Sequence, residues 1–439
     1  MSALTLKLTA ALESRDRKGI LFKIPPPSSL ANNGNTLNFT LNEYLSLSKS
    51  PELRRLFLDR LQTAPALFGS GGSRVAVNWD AHAALETRLA RFFNAPTALL
   101  AGSGYDANVA FFRHVPQRGD IILHDEYIHA SIYDGMRSAH VRRVSFTHND
   151  FEAFLRALRK LAEEDHGVMK GTTSVFLAVE SVYSMDGSIA PLNLMVKALE
   201  EVLPKGNGHL VVDEAHATGI YGLQGRGIVS MFGIENKCLA RLHTFGKALS
   251  CSGAVLLTTP LVREYLVNHG RALFFTTAPT HTTVISIDCA FSILESDTGT
   301  QLATRLIQNC TYLIESLLVS LADISRDVIC LPPHFYRPLS KNVETIPTTT
   351  LPTAIIPLLT PHAFELAEHL ANSGIKAFAV VFPVVPKDKA RVRATVNADK
   401  TREDIDRLVS VVVEWAKAMD TPSPKDKAIS CVGPARARL

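Results

Sequence analysis

The chain has 439 residues, of which 46% are hydrophobic, so it can bury a large core and is long enough for two or three domains. Its 46 lysines and arginines against 42 aspartates and glutamates are scattered along the chain, so nucleic-acid binding is not indicated, and no apolar run reaches the length of a membrane span. The six cysteines, Cys238, Cys251, Cys289, Cys310, Cys330 and Cys431, show no C-x-x-C spacing, which speaks against a zinc site or a disulfide framework and for a reducing compartment.

Residues 4–17 read as a helix. Charges at Lys7, Glu13, Arg15 and Asp16 interrupt its apolar stretches, so it does not look like a secretory signal. Pro25-Pro26-Pro27-Ser28-Ser29 and Asn32-Asn33-Gly34-Asn35 follow, and the whole of 1–49 reads as an irregular N-terminal arm. From 50 to 290, short apolar runs at 98–101, 121–124, 174–179, 210–213 and 254–257 alternate with helical stretches. Strands buried on both faces have this near-continuous apolar look. The expected fold class is therefore α/β, a mostly parallel large-domain sheet with helices on both faces.

Helical periodicity dominates 290–322, where Leu302, Leu306, Leu313, Leu317 and Leu321 predict a long connecting helix and its continuation. A smaller C-terminal α/β domain, 291–420 with that helix, is expected from a strand at 353–359, a helix at 362–373 ended by Gly374, strands at 377–382 and 391–396, and a last helix at 401–418 capped by Thr401. The tail, 421–439, is proline-rich and then charged. Its final Ala437-Arg438-Leu439 is a variant of the Ser-Lys-Leu peroxisomal address, which makes the peroxisome the expected location.

Chemistry gathers at the predicted strand ends. Asp213 closes an apolar strand and heads Asp213-Glu214-Ala215-His216; Lys247 stands in His243-Thr244-Phe245-Gly246-Lys247-Ala248-Leu249. A lysine amine can hold an aldehyde cofactor as a Schiff base, and an aspartate behind a pyridine ring can keep its nitrogen protonated, so the pair describes a pyridoxal phosphate site. Ser103-Gly104-Tyr105 follows a strand and opens a helix, which offers backbone amides and a positive helix end to a phosphate.

These segments fall in order with others: Gly69-Ser70-Gly71-Gly72-Ser73-Arg74, His82, Leu85-Glu86, Asn108, His129-Ala130-Ser131, His148-Asn149-Asp150, Glu180-Ser181-Val182-Tyr183-Ser184-Met185-Asp186-Gly187, Gly225-Arg226-Gly227, Ser252-Gly253-Ala254 and Arg393. Collinear over most of the chain, the set resembles the α-oxoamine synthases, fold-type I pyridoxal phosphate enzymes that condense an amino acid with an acyl-CoA. The resemblance implies that Lys247 tethers the cofactor and removes the amino acid's α-proton, that Asp213 pairs with the pyridinium nitrogen, that His216 meets the phenolic oxygen and the substrate carbonyl, and that His129 stacks on the ring. It implies Ser103, Gly104, Tyr105 and Thr244 for the phosphate and Ser181 beside the cofactor. Thr276 and Thr277 would reach the phosphate from a neighbouring subunit, hence a homodimer with shared sites.

For the substrate, the resemblance implies Arg393 on the amino acid carboxylate, with Arg391 expected on the opposite face as a solvent arginine, and Asn42 and Ser73 near the entrance. No metal is implied. Two departures stand out: Asn42-Glu43-Tyr44-Leu45-Ser46-Leu47 where the family commonly reads Asn-Tyr-Leu-Gly-Leu, and Lys400 where a histidine is frequent. Phe22 also falls near the place of an arginine for a distal carboxylate, leaving Lys18 or Lys23 to substitute. With the peroxisomal ending, and neither a membrane span nor a mitochondrial leader pattern, L-alanine and pimeloyl-CoA are the expected substrates. The competing expectations are a secondary-metabolism synthase using another acyl thioester, a fold-type I aminotransferase, and a non-catalytic partner subunit, which would be expected to lack the lysine.

Overall fold

The near-continuous apolar runs are strands covered on both faces. In the computed structural model, which describes residues 1–18, 20–21, 24, 36–69, 71–339 and 350–420, the short strand β1 (Leu37–Asn38) is followed by β2 (Thr97–Ala101), β3 (Ile121–Asp125), β4 (Arg142–Phe146), β5 (Val175–Glu180), β6 (Gly208–Asp213), β7 (Cys238–Thr244) and β8 (Ala254–Thr258). The last seven form one sheet in the order β2-β8-β7-β6-β5-β3-β4. Pairings from β7 through β4 are parallel, while β8 runs antiparallel to both β7 and β2. Alternate residues serve opposite cores: Leu123, Leu177, Val179, Val212 and Val255 pack on one face, Ile122, Phe176, Ala178, Val211 and Leu256 on the other. Two strands of this sheet escaped the sequence reading. β4 is an edge strand with Arg142, Arg143 and Ser145 exposed, and β7 buries Arg241 and His243 among its apolar residues.

The predicted 290–322 helix is two helices, His281–Leu294 and Asp297–Ser320. The break lies at Ser296, whose backbone is extended, and Gly299 lets the second helix start against the end of the first: a Cβ there would meet the Ile293 carbonyl at 2.5 Å. Beyond it, β9 (Ile355–Leu359), β10 (Ile375–Lys376), β11 (Phe378–Val380) and β12 (Arg391–Thr395) are laid down, with β11, β12 and β9 forming an antiparallel three-stranded sheet. The closing helix Arg402–Asp420 starts with a reciprocal cap. The Asp404 amide donates to Thr401 Oγ1 at 3.2 Å and the Thr401 amide to Asp404 Oδ2 at 3.0 Å.

Part of the expected irregular arm is ordered into this smaller unit. β1 pairs in parallel with β10, the Thr395 amide donates to the Phe39 carbonyl at 2.7 Å, and the Ala398 amide to that of Tyr44 at 2.8 Å. That stitching carries residues 42–44 to the carboxyl edge of the large sheet, where open α/β proteins bind ligands. The helix Ala3–Arg17 buries no residue. No helix among the described residues is long and apolar enough to cross a membrane. The tail, including Ala437-Arg438-Leu439, and Lys23 lie outside the described residues.

Candidate active site

The carboxyl ends of β5, β6 and β7 and the turn after β2 converge on a cavity of about 490 Å³ whose wall includes Asn42, Ser103, Gly104, Tyr105, His129, Asp213, His216, Thr244 and Lys247. Parallel strands put these residues at one edge because each enters its loop on the same side of the sheet. Asp213 ends β6 and is oriented from two sides, its Oδ2 accepting from Asn108 Nδ2 at 2.8 Å and its Oδ1 from the Ala215 amide at 2.9 Å. Asn108 also donates to Ser131 Oγ at 3.0 Å, and Ser131 in turn meets His129 Nδ1 at 2.7 Å, so the aspartate and the histidine are set by one network.

Lys247 lies in the turn after β7. Its Nζ is 3.0 Å from His216 Nε2, and His216 Nδ1 is 2.6 Å from the Tyr44 hydroxyl. Burial lowers the Lys247 pKa from the ordinary lysine value, against the opposing pull of Asp213 and Glu180. Burial, reinforced by the nearby Lys247 and Arg393 cations, also depresses His216 far below an ordinary histidine, so the imidazole is neutral and keeps a lone pair. The lowered lysine pKa moves the amine toward the uncharged form that nucleophilic attack and α-proton removal require, beside an imidazole that is already neutral.

The residues fit a phosphorylated ring cofactor. Ser103 caps the helix Gly104–His114, its Oγ accepting from the Asp106 amide at 3.1 Å, so the helix's first amides face the cavity. A Cβ on Gly104 would meet Thr244 Cγ2 at 2.3 Å, which reserves this close approach for glycine. Thr244 Oγ1 is buried and has no partner among the described residues, a hydroxyl left over for a ligand.

Other expectations fall elsewhere. Ser181 is fully buried with its hydroxyl 3.4 Å from the Asp213 carbonyl, behind the cavity wall. Arg393 also stands behind the wall: its Nη2 donates to Asn42 Oδ1 at 2.9 Å and its Nε to the Ser184 carbonyl at 2.7 Å, while Asn42 faces the cavity. Arg391 is not the solvent arginine expected. Residues two apart on a strand share a face, and Arg391 is buried beside Arg393, donating to the Met185 carbonyl at 3.0 Å. Ser73, Thr276 and Thr277 do not line the cavity within this chain, and the two threonines are exposed.

Four neighbours were not assigned from the sequence. Asn108 and Glu180 sit in recognised motifs yet carry no obvious chemistry there; Tyr44 belongs to the departure at 42–47, and Cys251 follows the lysine loop. Glu180 faces the cavity at the register position of Asp213, and burial, then the Asp213 charge, raises its pKa well above the ordinary glutamate value. The Asn42–Arg393 and Tyr44–His216 bonds hold the departing 42–47 segment on the site.

The aminotransferase class I and II family matches residues 35–412. The chain belongs to this family. Within it, the similar curated proteins are α-oxoamine synthases and their relatives: an 8-amino-7-oxononanoate synthase of Emericella nidulans is 38% identical over 389 residues, covering 88% of this chain and 90% of the relative. The aminoacyl transferase sphA of Aspergillus fumigatus is 37% identical over 393 residues, covering 88% and 82%. Among solved structures, the 8-amino-7-oxononanoate synthase of Francisella tularensis superposes with a TM-score of 0.68 at 25% identity over 88% of this chain and 99% of its own. Sphingomonas wittichii serine palmitoyltransferase shares the fold, with a TM-score of 0.75 at 23% identity over 95% of this chain and 99% of its own. The protein is a pyridoxal phosphate-dependent acyltransferase of the α-oxoamine synthase type.

Proposed function

We propose that this α-oxoamine synthase condenses L-alanine with pimeloyl-CoA to give 8-amino-7-oxononanoate, coenzyme A and carbon dioxide, the carbon-skeleton step of biotin synthesis. The observation that carries the condensation chemistry is the Lys247–His216–Tyr44 chain at the wall of the catalytic cavity. The choice of alanine and pimeloyl is supported by the 38% identical Emericella nidulans relative.

Pyridoxal phosphate, when bound, supplies an aldehyde for amino groups and a cationic ring that withdraws electrons from a bond breaking at the amino acid's Cα. Lys247 would anchor it, Asp213 keep the ring nitrogen protonated, His129 cover one face, and Ser103, Gly104, Tyr105 and Thr244 hold the phosphate. Asn42, its Oδ1 accepting from the Arg393 guanidinium, would donate its amide N–H to the alanine carboxylate. Lys247 takes the α-proton on its amine nitrogen. His216, neutral and able to donate one N–H, polarises the thioester carbonyl as the new carbon–carbon bond forms at Cα and the carbon–sulfur bond breaks, stabilising charge on that oxygen. Carbon dioxide then leaves from the alanine carboxylate, and Lys247 returns its proton to the same carbon.

The active unit in this proposal is a homodimer. It is supported by Phe275, 72% exposed next to Thr276 and Thr277, and by Phe68, 82% exposed, whose carbonyl bonds the His281 amide on the far side of the same segment. Large exposed aromatics grouped this way mark an interaction surface. Phe275→Asp is expected to sediment as a monomer and lose activity; a dimer that persists would remove this part of the reading.

Thiol release and carbon dioxide evolution, measured with alanine, glycine and serine against pimeloyl-CoA and other acyl thioesters, test the reaction. Turnover fastest with alanine and pimeloyl-CoA supports the proposal. Preference for a carrier-bound or longer acyl chain would instead favour a role like that suggested by the 37% identical sphA relative's name, and transamination without thiol release would refute condensation.

A further inference from the structure

The loop that carries Lys247 also walls a second cavity. The Phe245 amide donates to the Gly253 carbonyl at 2.9 Å, the Cys251 amide to the Phe245 carbonyl at 2.8 Å and the Ser250 amide to the Lys247 carbonyl at 3.0 Å, with Ser250 in the left-handed region at φ 52°. This tight closure sets Cys251 on the wall of the catalytic cavity and, at the same time, on the wall of a neighbouring cavity of about 410 Å³. The thiol is held in place, donating to the Leu249 carbonyl at 3.1 Å and approaching that of Ser286 at 3.5 Å.

The neighbouring cavity has the composition of a site for an aliphatic chain with a charged end. Leu47, Leu53 and Phe57 supply apolar walls, Lys49 and Arg54 supply positive charge, and the buried Ser250 hydroxyl has no partner among the described residues. Lys49 is 3.2 Å from Asp399, whereas Arg54 forms no ion pair among the described residues, so its charge is free for a ligand. Within the condensation reading above, on which this inference rests, the thioester substrate must place an acyl chain somewhere adjoining Lys247.

We propose that the acyl chain passes the Cys251 thiol from the catalytic cavity into this second cavity and that Arg54, assisted by Lys49, receives a carboxylate at its far end. Cys251 is then the gate that sets acyl length, and Arg54 the residue that selects a dicarboxylic acyl group over a plain fatty one. Apolar contact along the chain adds binding without strong discrimination, while a carboxylate against a guanidinium adds selectivity.

The test is calorimetric binding of pimeloyl-CoA, heptanoyl-CoA and acetyl-CoA to the holoenzyme and its variants. Heptanoyl-CoA has the same chain length without the terminal charge. Pimeloyl-CoA is expected to bind about tenfold or more tightly than heptanoyl-CoA, and Arg54→Ala to erase that difference while leaving heptanoyl-CoA unchanged. Cys251→Trp is expected to weaken both seven-carbon thioesters and spare acetyl-CoA; Cys251→Ser, close in size, should bind all three as the parent does. Equal affinity for pimeloyl- and heptanoyl-CoA in the parent, equal losses for both in Arg54→Ala, or a Cys251→Trp protein that binds every thioester normally would overturn the inference. Thiol release is scored separately: its absence despite selective binding would refute the condensation and leave the acyl site standing.

Discussion

His148 and the catalytic cavity gather the same kinds of side chain and leave them in opposite states. At His148 both ring nitrogens meet a carboxylate, Nδ1 at 2.9 Å from Asp125 and Nε2 at 2.8 Å from Asp186, and the Tyr127 ring stacks on it at 4.3 Å. Burial alone would lower its pKa, but the two carboxylates outweigh that and raise it to about 10, so the cation is locked in place. In the catalytic cavity His216 is neutral, the lysine pKa is depressed, and Thr244 Oγ1 and Glu180 Oε1 have no partner among the described residues. Complete pairing makes a fixture; incomplete pairing makes a site, because each unsatisfied buried group is stabilised by a ligand that completes it.

The two regions are mechanically joined. The segment 184–188 is held by His148 through Asp186 on one side and by Arg391 and Arg393, through the Met185 and Ser184 carbonyls, on the other. Gly187 sits at φ +69° where a Cβ would meet the Ile355 carbonyl at 2.2 Å, so β9 closes directly on this segment. The satisfied cluster thus fixes one side of a junction whose other side, β12, carries Arg393 to Asn42 at the cavity wall.

The strongest way to break the contrast is Lys247→Ala, which should reduce kcat by about 10³-fold or more and remove the cofactor's protein-bound visible absorbance, without lowering the unfolding midpoint of the cofactor-free protein. Retained absorbance would refute the tether. Next, Asp213→Asn should cost about 10²-fold in kcat with a smaller change in KM, because the charge behind the ring matters when the bond breaks. An unchanged kcat would show that Asp213 does not support the ring.

His148→Ala should act the other way, destabilising the fold by about 3 kcal/mol, since it strands two carboxylates, with a smaller loss of activity. Its pH signature sharpens the point. A histidine raised in the folded state from 6.5 to about 10 contributes stability that is complete below pH 6.5 and is lost as pH rises through about 10. Chemical denaturation between those values should show the parent losing stability that His148→Ala never had. A parallel decline in both proteins would assign the effect to other groups.

How much could be read beforehand differs from element to element. β3, β5, β6 and β8 announced themselves because burial on both faces needs apolar residues at every position, and the Thr401 cap because a local hydrogen bond needs only residues three apart. β4 and β7 did not, since an edge strand tolerates exposed arginines and a central one can bury Arg241 and His243 when tertiary partners exist, such as the Phe93 carbonyl that accepts from Arg241 at 2.8 Å. Lys247, Asp213 and His216 were legible as motifs at strand ends. Tyr44 and Glu180 were not, because their roles depend on segments far apart in the chain meeting at one cavity.

The amino-acid order by itself determined the alternating α/β architecture and marked a lysine and an aspartate at the strand ends, since periodicity and motif spacing are local properties of the chain. Only the tertiary structure decided that Arg391 is buried beside Arg393, that His216 is neutral between Lys247 and Tyr44, and that Cys251 stands between two cavities. Desolvation and charge proximity act through space, and which residues share that space is settled when the sheets and the N-terminal segment close on one another.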